Sequence, residues 1–206
     1  MNKKRRIGIV EDDKGFTKNF CELLATRDDC EIVFVAESYQ SALASMKSKK
    51  FDVLFVDLGL PDGDGADLIL KACRSYPDAE SYVLSITDDG ALIMNAFKHG
   101  AKGFVFKNDP PFVFLQQIYN VFQGGVTFSG TVSQAIINEL NKCATARAMI
   151  TEREFQIVKF MSLGFKPKEI SEKLNVAVNT INSHIKNVYR KLNVNSSTEA
   201  INVLQL

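Results

Sequence analysis

Residues 51–65, FDVLFVDLGLPDGDG, constrain this chain more than any other stretch. Val53, Leu54, Phe55 and Val56 form a continuous apolar run rather than an alternating one. A strand buried on both faces reads this way, as in a parallel sheet covered by helices, whereas a half-solvated strand alternates. The run stops on a carboxylate, Asp57. Gly59, Pro61, Gly63 and Gly65 follow, residue types that turn a chain. In open α/β sheets, ligand chemistry gathers beyond the carboxyl ends of the strands. Asp57 is expected at that edge.

The residues before and after supply the rest of such a sheet. Strands are expected over 6–10, 32–36, 82–86 and 103–106, in addition to the Asp57 strand. Helices are expected over 15–27, after the cap Ser38, over 66–76, from Asp88 to the stop at Gly100, and over 110–122. Five strand–helix alternations imply a parallel, doubly wound sheet with helices on both faces and right-handed crossovers. From residue 150 the pattern is all helical. Thr151 with Glu154 forms a capping box, and Gly164 is a stop. A short helix over 167–174, a turn at 175–177 and a longer helix over 178–192 make a helix-turn-helix signature. A last helix is expected over 198–206. The residues 126–149 read as a connector, part flexible, with 132–140 helical.

Composition fits two domains with different partners. The chain has 206 residues, 46% of them apolar, enough for two cores. Its net charge of +1 hides an asymmetry: from Arg147 onward nine Lys or Arg stand against five Glu. An acidic front and a basic back result. Cys21, Cys30, Cys73 and Cys143 have no CxxC spacing, so neither a disulfide framework nor a zinc site is expected. No apolar run approaches membrane-spanning length, and the run in MNKKRRIGIV ends at Glu11. A cytoplasmic protein with no membrane partner is expected.

The strand ends gather chemistry. Glu11 and Asp12 follow strand one, Asp57 ends strand three, Ser85 lies in strand four and Lys107 follows strand five. Each alone reads as an ordinary surface or capping residue; together at one sheet edge they read as a site. Clustered carboxylates repel, and an all-oxygen set with few protein ligands suits Mg²⁺. A carboxylate beside Mg²⁺ and a lysine is a nucleophile for a phosphoryl group. Residues 62–65, DGDG, are not a calcium loop, because Ala66 and Asp67 stand where an oxygen ligand and a glycine are needed.

The segments IGIVEDD, DVLFVDLGLPDGDG, YVLSITDD and GAKGFVFKND resemble the receiver domain of response regulators, from Arg5 to about Gln123. The resemblance implies a flavodoxin-like five-stranded receiver. It implies Asp57 as phospho-acceptor, with Glu11, Asp12 and Asp57 holding Mg²⁺. Ser85 is the implied switch hydroxyl, Lys107 the phosphate-sensing lysine, and Phe104 the switch aromatic that turns inward. Asp13 occupies a place where relatives carry His or another acid. Gly59 departs from the pattern, since it has no side chain to position a hydrolytic water.

In the last third, Ile181, Ile185, Val188 and Leu192 share one face of the 178–192 helix, which leaves Asn179, Asn182, Ser183, Lys186, Asn187 and Arg190 outward. Asn reads adenine edges, and Lys or Arg reads guanine or neutralises phosphate. The stretch 150–206 is similar to the LuxR-type helix-turn-helix of the NarL/FixJ regulators. That likeness makes Asn182, Ser183 and Lys186 base-facing, with Thr180 beside them, although many relatives carry Lys at position 182. Lys166, Lys168 and Lys191 are expected on phosphates. His184 reads as structural.

The resemblance thus implies a receiver over 1–124, a linker over 125–148 and a small all-α DNA-binding domain over 149–206. The implied function is a transcriptional regulator phosphorylated by a sensor histidine kinase, dimerising and binding promoter DNA. Enzymatic turnover is not expected, because a hydrolase of aspartyl-phosphate type needs an acid where Gly59 stands. The alternative keeps DNA binding but makes the receiver a constitutive dimerisation module.

Overall fold

A computed structural model of the chain describes residues 4–206. Two compact units divide it, Met1–Ile136 and Ile137–Leu206. The first contains strands β1 (Arg5–Val10), β2 (Cys30–Ala36), β3 (Val53–Asp57), β4 (Glu80–Ser85) and β5 (Gly103–Phe106). All pair in parallel, in the order β2-β1-β3-β4-β5. Helices α1 (Lys14–Ala25), α2 (Tyr39–Ser48), α3 (Gly65–Ser75), α4 (Gly90–Lys98) and α5 (Pro111–Phe122) connect them.

Every residue of β3 is buried, as its unbroken apolar run requires. Successive strand residues point to opposite faces and feed two separate cores. Val53 and Phe55 join Ile7, Ile9, Tyr82, Leu84 and Val105 under α1 and α5. Leu54 and Val56 join Val10, Phe34, Val83 and Phe104 under α2, α3 and α4. Helices α1 to α4 start on side-chain caps, whereas α5 opens on Pro110 without one. Ser38 caps α2 in a box with Ser41, Asp64 caps α3, and α4 is capped by Asp89 rather than by Asp88. Gly100, with φ 102°, closes α4 in the left-handed region.

The stretch expected as a partly flexible connector is more ordered than its sequence pattern implies. Residues 126–129 run beside β5, where the Phe104 N–H donates to the Thr127 carbonyl at 2.9 Å. Helix α6 (Gly130–Met149) then continues for 20 residues. Its Val132 is fully buried in the first unit's core, with Ala135 and Ile136 packed against that core.

The second unit contains α7 (Glu152–Ser162), α8 (Pro167–Leu174), α9 (Val178–Leu192) and α10 (Ser197–Val203). Ile157, Ile170 and Ile181, all fully buried, fasten α7, α8 and α9 together. Ala146, Val158, Val188, Ala200 and Leu204 form its other cluster. The α8–α9 turn holds Asn175 at φ 50°, and Asn193 at φ 55° ends α9. Asn tolerates this conformation better than any residue except Gly. Among the described residues no helix is long and apolar enough to cross a membrane.

Candidate functional site

Strand register builds the first site. Val10 lies opposite Val56 across β1 and β3, so Glu11 comes beside Asp57. Ser85 lies opposite Phe106 across β4 and β5, so Lys107 follows at the same edge. An open cleft of about 840 Å³ runs over these ends, lined by Glu11, Asp12, Asp57, Ser85 and Lys107.

Lys107 is the centre of the cluster. Its ammonium lies 2.7 Å from Asp57 Oδ2 and 2.5 Å from Glu11 Oε2. The Lys107 nitrogen also stands 4.8 Å from the centroid of the Phe16 ring. Glu11 is 1% exposed. Its burial pushes the carboxyl above the usual range, and the Lys107 ammonium offsets this only in part. Burial works against the charged Lys107, but hydrogen bonds to Asp57 and Glu11 outweigh it and raise its pKa. The arrangement is a buried charge cluster only partly neutralised from within.

Carboxylate oxygens of Glu11, Asp12 and Asp57 lie within 4.8 Å of one another, close enough to ligate one ion. The donors are all hard oxygens, and three carboxylates face one ammonium, so the set suits a hard divalent cation. Asp13 is not part of it. Its carboxylate caps α1, accepting from the Gly15 and Phe16 N–H groups at 2.8 and 3.0 Å. The Gly59 N–H donates to Asp57 Oδ1 at 3.2 Å. A Cβ at Gly59 would lie 4.0 Å from that oxygen and meet nothing else. Ser85 Oγ accepts from the Thr87 N–H at 3.2 Å.

Phe104 departs from expectation. It is 0% exposed and already belongs to the core under α4, so no inward turn is left for it to make. The sequence reading missed Thr87, Leu92, Asn95 and Asn108, which also line the cleft. Thr87 and Asn108 stand one or two positions past Ser85 and Lys107, a closeness that strand-end reasoning can use.

The second site is the outer face of α9. Asn179, Thr180, Asn182, Ser183, Lys186 and Arg190 are exposed, and Asn187 is half-buried, its Oδ1 accepting from Arg190. Lys166 and Lys168 are exposed at the start of α8. Lys191 differs from the expected phosphate contact. Its ammonium is bound 2.7 Å from Glu154 Oε2, and Glu154 is 3% exposed. A buried carboxylate holds that lysine to the body of the unit. His184 is half-buried within α9.

Family models match both parts of the chain: the response regulator receiver domain over residues 7–118, and the bacterial regulatory proteins of the luxR family over residues 148–204. The chain belongs to the response regulators, as a receiver joined to a LuxR-type helix-turn-helix in the NarL/FixJ arrangement. Its relatives include the oxygen regulatory protein NreC of Staphylococcus carnosus, 28% identical over 205 residues, or 95% of this chain and 94% of that one. The transcriptional regulatory protein DegU of Brevibacillus brevis is 25% identical over 216 residues, covering 96% and 92%. The Salmonella typhimurium response regulator RcsB shares the fold, with a TM-score of 0.64 at 22% identity over 100% of this chain and 99% of that one. RcsB from Salmonella enterica serovar Typhimurium, bound to promoter P1flhDC with the phosphomimetic BeF3⁻, gives 0.63 at 22% identity over 98% of each chain.

Proposed function

We propose that this chain is a DNA-binding transcription regulator switched by phosphorylation of Asp57. The observation that carries this reading is the Glu11–Lys107–Asp57 cluster at the carboxyl edge of the sheet. One Asp57 carboxylate oxygen attacks the phosphorus of a phosphohistidine on a sensor kinase. A P–O bond forms, the P–N bond breaks, and the imidazole leaves. Glu11, Asp12 and Asp57 would hold Mg²⁺, which supplies neutralising charge at the phosphoryl oxygens. Lys107 gives up its bond to Asp57 Oδ2 and pairs with a phosphoryl oxygen. The Ser85 hydroxyl donates to another. The acyl phosphate adds roughly −1.5 to −2 of charge at one point, enough to move a two-state element.

In this reading residues 1–124 receive the signal, 149–206 read DNA, and the stretch between couples them. Helix α9 enters the major groove with Asn182, Ser183 and Lys186 toward base edges. Asn179, Thr180, Asn187 and Arg190 flank them, and Lys166 and Lys168 contact phosphates. Two copies bind two half-sites. RcsB, which shares the fold, is itself bound to promoter P1flhDC, and that likeness supports DNA binding here. The protein works in the cytoplasm and accepts one phosphoryl group rather than turning over a substrate. Gly59 supports that, because it offers no acid beside Asp57.

The test compares wild type and Asp57→Asn with acetyl phosphate and Mg²⁺, by intact mass and by promoter affinity. Wild type should gain one phosphoryl group and bind DNA more tightly, and the variant should do neither. Equal DNA affinity in both, with and without phosphodonor, favours the constitutive dimerisation module instead.

A further inference from the structure

The receiver sheet ends on β5, and an open strand edge is a row of unpaired N–H and C=O groups. Here the chain covers its own edge. The Phe104 N–H donates to the Thr127 carbonyl at 2.9 Å. Gly103 permits the approach, since a Cβ there would lie 3.0 Å from both the nitrogen and the oxygen of Thr127. The Tyr82 hydroxyl donates to the Gly125 carbonyl at 3.1 Å. The Phe128 ring meets Phe97 of α4 edge-on, with centroids 5.2 Å apart. Ser129 Oγ then accepts from the Val132 N–H at 3.3 Å and starts α6.

The seat is imperfect. Thr127 is 2% exposed, and its Oγ1 has no hydrogen-bond partner. A buried hydroxyl left unpaired favours the undocked state, where water satisfies it. Phe104 also stands three residues before Lys107, on the strand that positions the ammonium between Glu11 and Asp57.

We infer that residues 125–129 are a releasable strap on β5. The strap is docked while Lys107 bridges Glu11 and Asp57, and it loosens when Lys107 turns to a phosphoryl group on Asp57. Its release frees the segment that leads into α6, while Val132 still seats the helix in the receiver core. This rests on Asp57 being the phospho-acceptor. The junction is a backbone hydrogen bond, so a signal passes without a change of side-chain rotamer at Phe104.

Residue-resolved amide exchange on the full chain tests it, with and without Mg²⁺ plus beryllofluoride. The Phe104 amide should be protected at rest and exchange about tenfold faster with the mimic, while the Gly59 and Thr87 amides change too. Without any ligand, Thr127→Val should slow Phe104 exchange about tenfold by removing the unpaired hydroxyl. Phe128→Ser, at a side chain 41% exposed and so safe for folding, should speed it. A response at Gly59 with none at Phe104 overturns the strap and leaves Asp57 as acceptor. No response at either position removes the acceptor reading and the strap with it. Phe104 exchange unaltered by both substitutions overturns the strap regardless of the mimic.

Discussion

Gly65 stands where no side chain fits. A Cβ there would lie 2.1 Å from the Asp57 carbonyl oxygen and 2.7 Å from the Leu58 Cα, both backbone atoms that cannot swing aside. The first turn of α3 therefore rests directly on the end of β3. Gly65→Ala must lift it, at a cost of about 1–3 kcal/mol, and must displace Asp57. A lowered urea midpoint with slower phosphodonor uptake is the expected result; a wild-type midpoint would show that the loop yields freely and defeat the argument. Glu154 gives the second residue-scale prediction. Burial opposes its charge, but Lys191 and Thr151 outweigh burial and hold its carboxyl below the ordinary range. A depressed folded pKa means that stability is complete above the unfolded value, about 4.5, and drains away as pH falls through the folded one. Denaturant midpoints measured from pH 7 down to pH 3 should therefore fall less steeply in Glu154→Gln than in wild type. Parallel curves would rule out Glu154 as a source of the acid sensitivity.

Helix α9 is the element on which the proposed recognition depends. Asn182→Ala removes an exposed amide from the proposed base-facing row, and should cost about 1–3 kcal/mol of specific affinity while sparing random DNA. Lys166→Ala should weaken both kinds of binding alike and reduce the salt slope by about one. Titrations at several salt concentrations separate the two, and identical profiles would contradict the assignment. The same helix shows what the sequence can tell. Its apolar stripe was legible, because Ile181 and Val188 lie buried on one face of the helix although they enter two clusters, and the Thr151–Glu154 box was legible because capping is local. The Lys191–Glu154 pair spans 37 residues and leaves no local mark. Strand ends were legible for the same reason as caps: an apolar run that stops on Asp57 announces its own edge. Helix α6 was not, since Val132 is buried in one unit and Ala146 in the other, so no single stripe runs its length. Phe104 lies on a strand covered on both faces, where alternation does not reveal which core a ring enters. Asp88 and Asp89 are adjacent capping residues, and pattern alone does not choose between them.

At the scale of the whole molecule, each unit has its own hydrophobic clusters, and the division of charge along the chain follows the division of labour. In chain order β1 comes first with its edge neighbour β2, β3 then pairs with the other side of β1, β4 joins β3, and β5 arrives last at the opposite edge. Both ion pairs described for Glu11 and Asp57 are with Lys107, which follows β5. A chain emerging during synthesis thus brings two carboxylates together before the ammonium that neutralises them exists. Burying Glu11 unpaired is costly, so the four-stranded stage stays loose. A fragment ending at residue 101 should show no cooperative melt, whereas one ending at residue 136 should; a sharp transition in the shorter piece would refute this order. The lysine proposed to read the signal is also the residue that completes the fold, so on that proposal a nascent chain holds no ordered acceptor until it is long enough to respond.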